Sequence, residues 1–445
     1  MENIKIFIDF GSTFTKAVAF DLNKEELCAR VQVPSTVETD VTEGLYAALD
    51  ELKKFVTFGE REVSNAIACS SAAGGLRLAV TGLVPDYTTK AGHLAALGAG
   101  AKVIGQFSYE LSRSELRRLD ELAPDIVLLT GGTDGGNKKN IIHNAEVLAK
   151  SSVENIIVAG NKSARDEIED IFSDTDKNIR YADNVMPEFG QLELTSVNEC
   201  VRELFLSRIM DAKGISRVGE IISEVAMPTP AAVLEAVRLL ADGTRNTYGF
   251  GELMLVDVGG ATTDVYSAAV GVPERGAKLM GLKEPYLKRT VEGDLGLFHN
   301  LDTVAMLAEE SASIEALRSE RSIPLNLESV KLHERLTRTA VTTAVTRHVG
   351  RLEPIMTGDG EVWVQRGKDL RDVKLVIGAG GPVAFSKNPL EILKGVISSG
   401  SGGVLSPKNP GFAIDSRYIL FAVGLLSLEH PDKALAIAKK YIARI

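Results

Sequence analysis

The chain has little of what several function classes require. Its three cysteines, Cys28, Cys69 and Cys200, are widely separated and form no Cys-x-x-Cys pair. That spacing argues against a disulfide framework and a zinc site. No apolar run approaches the ~20 residues that a bilayer-crossing helix needs. Basic charge is in deficit: 50 Lys and Arg against 60 Asp and Glu leave a formal net charge of −10, the wrong sign for a nucleic-acid surface. Repeats of solenoid period and low-complexity tracts are also lacking. Met1-Glu2-Asn3-Ile4-Lys5 leads straight into strand-like sequence, so a cytoplasmic protein without a signal peptide is the expectation. The 445 residues leave room for two or three domains.

What is present is one loop pattern that occurs twice. Phe7-Ile8-Asp9-Phe10-Gly11-Ser12-Thr13-Phe14-Thr15-Lys16 stands near the N-terminus, and Leu255-Val256-Asp257-Val258-Gly259-Gly260-Ala261-Thr262-Thr263-Asp264 in the second half. Each is an apolar strand ending in Asp, a tight turn of Gly and hydroxyl residues, and a second strand. Glycine lets a backbone approach phosphate oxygens with no Cβ in the way, and successive N–H groups in such a turn form an anion-binding concavity. On this reading the N–H groups and hydroxyls around Gly11, Ser12, Thr13, Gly259, Gly260, Thr262 and Thr263 take the β- and γ-phosphates of a nucleotide. Asp9 and Asp257 hold Mg²⁺ through water, as a cation that keeps much of its hydration shell allows. Two roles stay open for Lys16, a phosphate contact or a solvent-facing strand residue. Two stay open for Asp264, support of Asp257 or a cap on the turn. No residue stands out as the base that would activate water.

A third segment, Lys374 to Ala384, reads as a buried strand entering a glycine turn, with Gly378, Gly380 and Gly381 as candidates to line an adenosine. Between the two hairpins, residues 76–162 alternate strand and helix. Such alternation implies a parallel, doubly wound sheet, whose ligands sit at the carboxyl ends of its strands. The loop Gly131-Gly132-Thr133-Asp134-Gly135-Gly136-Asn137 falls at such an end. Ser112 with Glu115 has the spacing of a capping box. Residues 41–56, 163–172, 196–210, 229–241, 311–323 and 332–349 read as helices, and 63–70 as a strand. The fold class expected is α/β, in four segments: 1–75 and 163–250 forming one lobe, 76–162 inserted into it, and 251–445 forming a second lobe.

The three motifs in this order resemble the acetate and sugar kinase, heat-shock-70 and actin superfamily of ATPases. The resemblance implies two ribonuclease-H-like lobes with ATP and Mg²⁺ in the cleft between them. Residues 76–162 resemble the flavodoxin-like cobalamin-binding domain of adenosylcobalamin-dependent mutases. There Asp86-Tyr87-Thr88-Thr89-Lys90-Ala91-Gly92 matches an Asp-x-His-x-x-Gly motif, with Thr88 in place of the cobalt-ligating His. His93, one place further on, is expected on a helix surface.

With the segments Leu128 to Asn137 and Arg289 to Gly296 added, the whole chain resembles the glutamate mutase accessory protein family, called MutL or GlmL. Arg289 to Gly296 reads either as a glycine turn opening a nucleotide-contacting helix or as a plain helix N-terminus. The family resemblance implies an ATP-driven reactivating factor, chaperone-like, whose partners are the subunits of an adenosylcobalamin-dependent mutase. Nucleic acid and membrane are not expected partners. A small-molecule kinase and a nucleotide-dependent scaffold are the alternatives on the same fold. An activator of 2-hydroxyacyl-CoA dehydratases is disfavoured, because the scattered cysteines suit no iron–sulfur cluster.

Overall fold

The computed structural model describes residues 3–11, 13–37, 39–71, 76–210, 215–273, 276–310, 314, 317, 327–358, 360–397 and 402–445. Ser12, the turn at 72–75 and nearly all of the expected helix 311–323 lie outside them.

Two sheets share one strand order. In the first, the strands Ile4–Phe10, Phe14–Asp21 and Glu26–Pro34 form an antiparallel meander. Ile67–Ser70 pairs parallel to the first of these, and Glu224–Pro228 pairs parallel to Ile67–Ser70. In the second, Leu253–Val258, Thr263–Ala268 and Leu287–Glu292 form the meander, and Leu375–Ala379 and Gly411–Ile414 follow in parallel. Numbered within each sheet, both run 3-2-1-4-5, and the second adds a short edge strand, Ala443–Arg444. A tight hairpin forces antiparallel neighbours, whereas parallel pairing needs the long crossovers that follow.

The sheets face each other across helices Thr229–Asp242, Leu420–Ser427 and Pro431–Tyr441. One apolar core joins Phe7, Val18 and Phe20 of the first sheet to Leu255, Tyr266 and Ile377 of the second through Ala236, Leu240, Phe421 and Leu425 of the helices. The crossing of the first two helices is close. A Cβ on Gly424 would lie 1.8 Å from the Ala232 carbonyl oxygen, so only glycine fits there. Leu420–Ser427 is apolar on every side and buried along its length, as expected for a helix packed from several directions.

A third sheet is wholly parallel. Its strands Arg77–Gly82, Lys102–Ser108, Ile126–Leu129, Asn155–Val158 and Asn178–Tyr181 pair in the order second, first, third, fourth, fifth. Alternate residues feed two cores. Leu78, Val80 and Leu128 join the core of the first sheet and helix Val41–Lys53. Ala79, Val127 and Leu129 pack on Leu119, Ile141 and Phe172. The fifth strand carries this sheet to Tyr181, past the boundary at residue 162 expected from the sequence. The capping box at Ser112 is formed: the Glu115 N–H donates to Ser112 Oγ at 3.3 Å, and the Ser112 N–H to Glu115 Oε2 at 2.9 Å. A small sheet of Lys278–Leu279, Gly360–Arg366 and Arg351–Thr357 stands apart.

Two local expectations fail. Residues 63–70 are not one strand: helix Glu60–Ser64 precedes Ile67–Ser70, started by the Gly59 N–H donating to Glu62 Oε2 at 2.8 Å. His93 is half-buried rather than out on the helix surface. Helix Lys90–Gly98 turns it toward Lys90, Lys288 and Glu284, where burial first, and the two lysines next, press its imidazole down to about 4.

Candidate functional site

Asp9 and Asp257 end the first strands of the two meanders. Each hairpin turn closes the same way: the Gly11 N–H donates to the Phe14 carbonyl at 3.1 Å, and the Gly259 N–H to the Thr262 carbonyl at 2.9 Å. The register is the same in both, but the residue opposite the Asp differs. Lys16 lies opposite Asp9, whereas Asp264 lies opposite Asp257. Lys16 Nζ bonds Asp9 Oδ2 at 3.0 Å, so its side chain turns to the strand end rather than out to solvent. Asp9 is buried, and its other oxygen accepts from Thr229 Oγ1 at 2.6 Å. Cys69 Sγ lies 3.8 Å from the same oxygen. Burial and the nearby Asp9 charge push the Cys69 thiol well up, so it stands there as a neutral S–H.

The second hairpin carries the excess of negative charge. Burial pushes the Asp257 carboxyl up to about 7; Asp264, Asp415 and Asp9 add to the rise, and Lys16 opposes it. On Lys16 itself, burial presses the ammonium down, but Asp9 and Asp257 outweigh burial and its pKa is raised. The two aspartates, one on each sheet, thus converge electrostatically on one lysine. Asp264 is tied back by Arg289, with Nε at 3.0 Å and Nη2 at 2.7 Å from Oδ1, and by the Thr262 hydroxyl at 3.0 Å from Oδ2.

The segment Arg289 to Gly296 is strand and turn, and helix Leu301–Leu307 begins beyond it. Strand Leu287–Glu292 runs into a turn that buttresses the second hairpin. Leu297 donates to the Gly259 carbonyl at 3.1 Å, and Phe298 and His299 both donate to that of Gly260 at 2.9 Å. Gly296 passes so near that a Cβ there would meet Ala261 backbone at 2.3 Å. The Thr263 hydroxyl is spent on the Leu295 carbonyl at 2.7 Å. Of the second loop, Gly260 is therefore the open glycine, and Thr263 is buried behind it. In the first loop Thr13 is exposed, and Ser12 lies outside the described residues.

The glycines after Ile377 divide. Gly378 is a packing residue: a Cβ there would strike Val383 at 2.7 Å and Leu393 at 2.8 Å, away from the cleft. Gly380 lies against the second hairpin. Its φ is +86°, and a Cβ would lie 2.0 Å from the Val258 carbonyl oxygen and 2.7 Å from Asp257 Oδ1. Gly381 opens the turn Gly381–Ala384 beneath the Tyr418 hydroxyl. Thr229, Cys69, Arg289 and Tyr418 were not legible as site residues. Thr229 is 220 positions from Asp9; the one signal it gave was its place after the strand end at Pro228.

The donor set fits a hydrated divalent cation beside a polyphosphate. Among the described residues no group of three or more His, Cys, Asp or Glu is placed to hold a metal ion directly. The crowding that pushes Asp257 up is what a cation carrying its own waters between Asp9 and Asp257 relieves.

The family described as MutL protein matches residues 5–442. The chain belongs to the MutL protein family. Protein MutL of Clostridium tetanomorphum is 42% identical over 458 residues, covering 99% of each chain. Likenesses among solved structures of other proteins are remote. Nucleotide-free acetone carboxylase matches with a TM-score of 0.44 and 12% identity, over 95% of this MutL-family chain and 70% of its own. The activator of 2-hydroxyisocaproyl-CoA dehydratase from Clostridium difficile, solved with ADPNP, matches with a TM-score of 0.28 and 11% identity, over 98% of each. At such scores neither carries an argument about function. No helix among the described residues is long and apolar enough to cross a membrane.

Proposed function

We propose that this MutL-family chain is a cytoplasmic, ATP-dependent accessory factor that reactivates an adenosylcobalamin-dependent mutase, glutamate mutase or a related aminomutase. The observation that carries the reading is the convergence of the Asp9 and Asp257 hairpins on Lys16 between two sheets of the same strand order. Asp9 and Asp257 orient the waters of Mg²⁺, and Lys16 balances their charge. The N–H groups about Gly11, Ser12, Thr13, Gly259 and Gly260 hold the phosphates, while the Thr262 hydroxyl stays on Asp264. Gly380 and Gly381 pass beneath the adenosine. Mg²⁺ supplies charge neutralisation at the phosphates when bound.

Residues 1–75 and the part of 163–250 beyond Tyr181 are proposed as one ribonuclease-H-like lobe of an actin-like ATPase and 251–445 as the other. A flavodoxin-like domain is inserted from residue 76, its sheet reaching Tyr181. That domain stands in for the mutase's own cobalamin-binding subunit, so that docking parts the mutase subunits and frees damaged cobalamin. One feature supports the likeness to that subunit, and another a decoy over a carrier. The strand order 2-1-3-4-5 is that of flavodoxin-like sheets. Thr88, in the position of the missing His, turns its hydroxyl inward to accept from the N–H groups of Leu83 at 2.8 Å and Val84 at 3.0 Å. Differential affinity of the two nucleotide states for the mutase is the coupling this work requires.

The test is ATP hydrolysis measured with and without a mutase. Slow turnover that rises on adding the mutase supports the reading. Stoichiometric phosphorylation of a small metabolite would replace it with a kinase.

A further inference from the structure

Tyr418 follows the last parallel strand of the second sheet and precedes helix Leu420–Ser427. Its φ is +54°, a region where a bulky side chain is an outlier and where strain marks clamps and switches. The turn is held by Asp415, whose carboxylate accepts the N–H groups of Ile419 and Leu420 at 3.1 Å each and whose carbonyl accepts that of Tyr418 at 3.4 Å. The ring is thereby sent across to the other lobe. Arg30 Cζ lies 5.1 Å and Lys16 Nζ 5.7 Å from its centroid, both from the first sheet. On its own side the ring meets Phe385 at 5.7 Å, and its hydroxyl stands 3.2 Å from where a Cβ on Gly381 would be. The ring therefore lies between the Lys16 end of the site and the Gly381 turn. Arg30 donates through Nη2 to Gln32 at 2.6 Å, while its Nε is buried with no hydrogen-bond partner.

We propose that the Arg30–Tyr418 stack is a latch between the lobes, which a nucleoside triphosphate entering the cleft displaces. The inference rests on the nucleotide reading given above. A guanidinium over a ring face is attracted only by the ring quadrupole. A charge-assisted bond from the same guanidinium to phosphate is stronger and directional. The ligand therefore takes Arg30 and its unused N–H, and the ring leaves a strained backbone conformation that the stack had helped to hold. The stack joins the third strand of the first sheet to the end of the second, so its release changes how the lobes are tied.

The experiment uses the full chain. Trp363, the one tryptophan of the sequence, is half-exposed on the small separate sheet. Trp363→Phe combined with Tyr418→Trp places the sole indole in the latch. ATP with Mg²⁺ is expected to shift its emission, half-saturating at the concentration where calorimetry on the same variant reports binding. In a separate variant, Tyr418→Ala, ATP is expected to bind more tightly, about fivefold, because the ligand no longer competes with a closed state. Binding seen by calorimetry with unchanged indole emission overturns the latch, as does weaker ATP binding by Tyr418→Ala; both leave the cleft reading standing. If the unaltered chain binds no ATP, the cleft reading fails and the latch with it.

Discussion

Arg289 and Asp264 form a bonded pair whose other end reaches out of the lobe. While Nε and Nη2 hold Asp264 at 3.0 and 2.7 Å, Nη1 of Arg289 donates to the carbonyls of Leu97 at 3.4 Å and Ala101 at 3.3 Å. Leu97 is in the last turn of helix Lys90–Gly98, which packs on the parallel sheet, and Ala101 lies just past its end. One buried side chain thus touches both the second hairpin and the region proposed to meet the mutase. Arg289→Leu strands the Asp264 carboxylate, and breaking a buried pair in this way costs about 3–5 kcal/mol. Denaturant unfolding checks that figure. Arg289→Lys keeps the charge and loses the fork. It is expected to stay folded while ATP ceases to alter hydrogen exchange in residues 90–101. Unchanged exchange coupling in that variant would remove Arg289 from the pathway.

His93 makes stability depend on pH. Its folded value of about 4 lies below the usual 6.5, for burial first and for Lys288 and Lys90 next, with Glu284 opposing. The unfolded chain then binds the proton more readily, so stability falls as pH drops from 6.5 to 4 and is full above 6.5. The loss has an upper bound of about 3 kcal/mol. His93→Gln is expected to flatten the melting temperature across that window. Glu284 acts lower: burial alone would raise it, but Lys288 and Lys90 hold it at about 2. Its contribution is present above the usual 4.5 and is lost as pH falls toward 2.

Gly424→Ala places a methyl 1.8 Å from the Ala232 carbonyl oxygen. Overpacking of this kind costs about 1–3 kcal/mol or more. Because both helices lie between the sheets, the melting temperature should drop and the inter-lobe packing should loosen. A wild-type melting temperature would contradict this account of the crossing.

Thr229→Val leaves one oxygen of the buried Asp9 without its 2.6 Å donor. Only the weak Cys69 S–H, 3.8 Å away, remains as donor to that oxygen, and the lost bond costs about 1–3 kcal/mol. Calorimetry should show Mg–ATP affinity altered by about tenfold, the equivalent of 1.4 kcal/mol. An unaltered affinity would place Thr229 outside the site.

The hairpins around Asp9 and Asp257 were legible because each motif is continuous in sequence and its register follows from a turn. The parallel sheet was legible from alternation alone, except for its end, since strand Asn178–Tyr181 follows helix Arg165–Ser173 with weak strand character. Gly378 shows the limit of reading glycines: a strand glycine that admits Val383 and Leu393 looks the same in sequence as one that admits a ligand. His93 was misplaced because the charges that face it, Lys288 and Glu284, come from the other lobe. Thr229, Arg30 and Tyr418 meet the site only through tertiary packing, and no local pattern marks them.

The most direct test is recovery of glutamate mutase that has been inactivated during turnover. The account predicts that adding this protein restores activity only with ATP and free adenosylcobalamin, and that Asp9→Ala abolishes the effect. Restored activity without ATP, equal recovery with Asp9→Ala, or no recovery despite ATP turnover would contradict it.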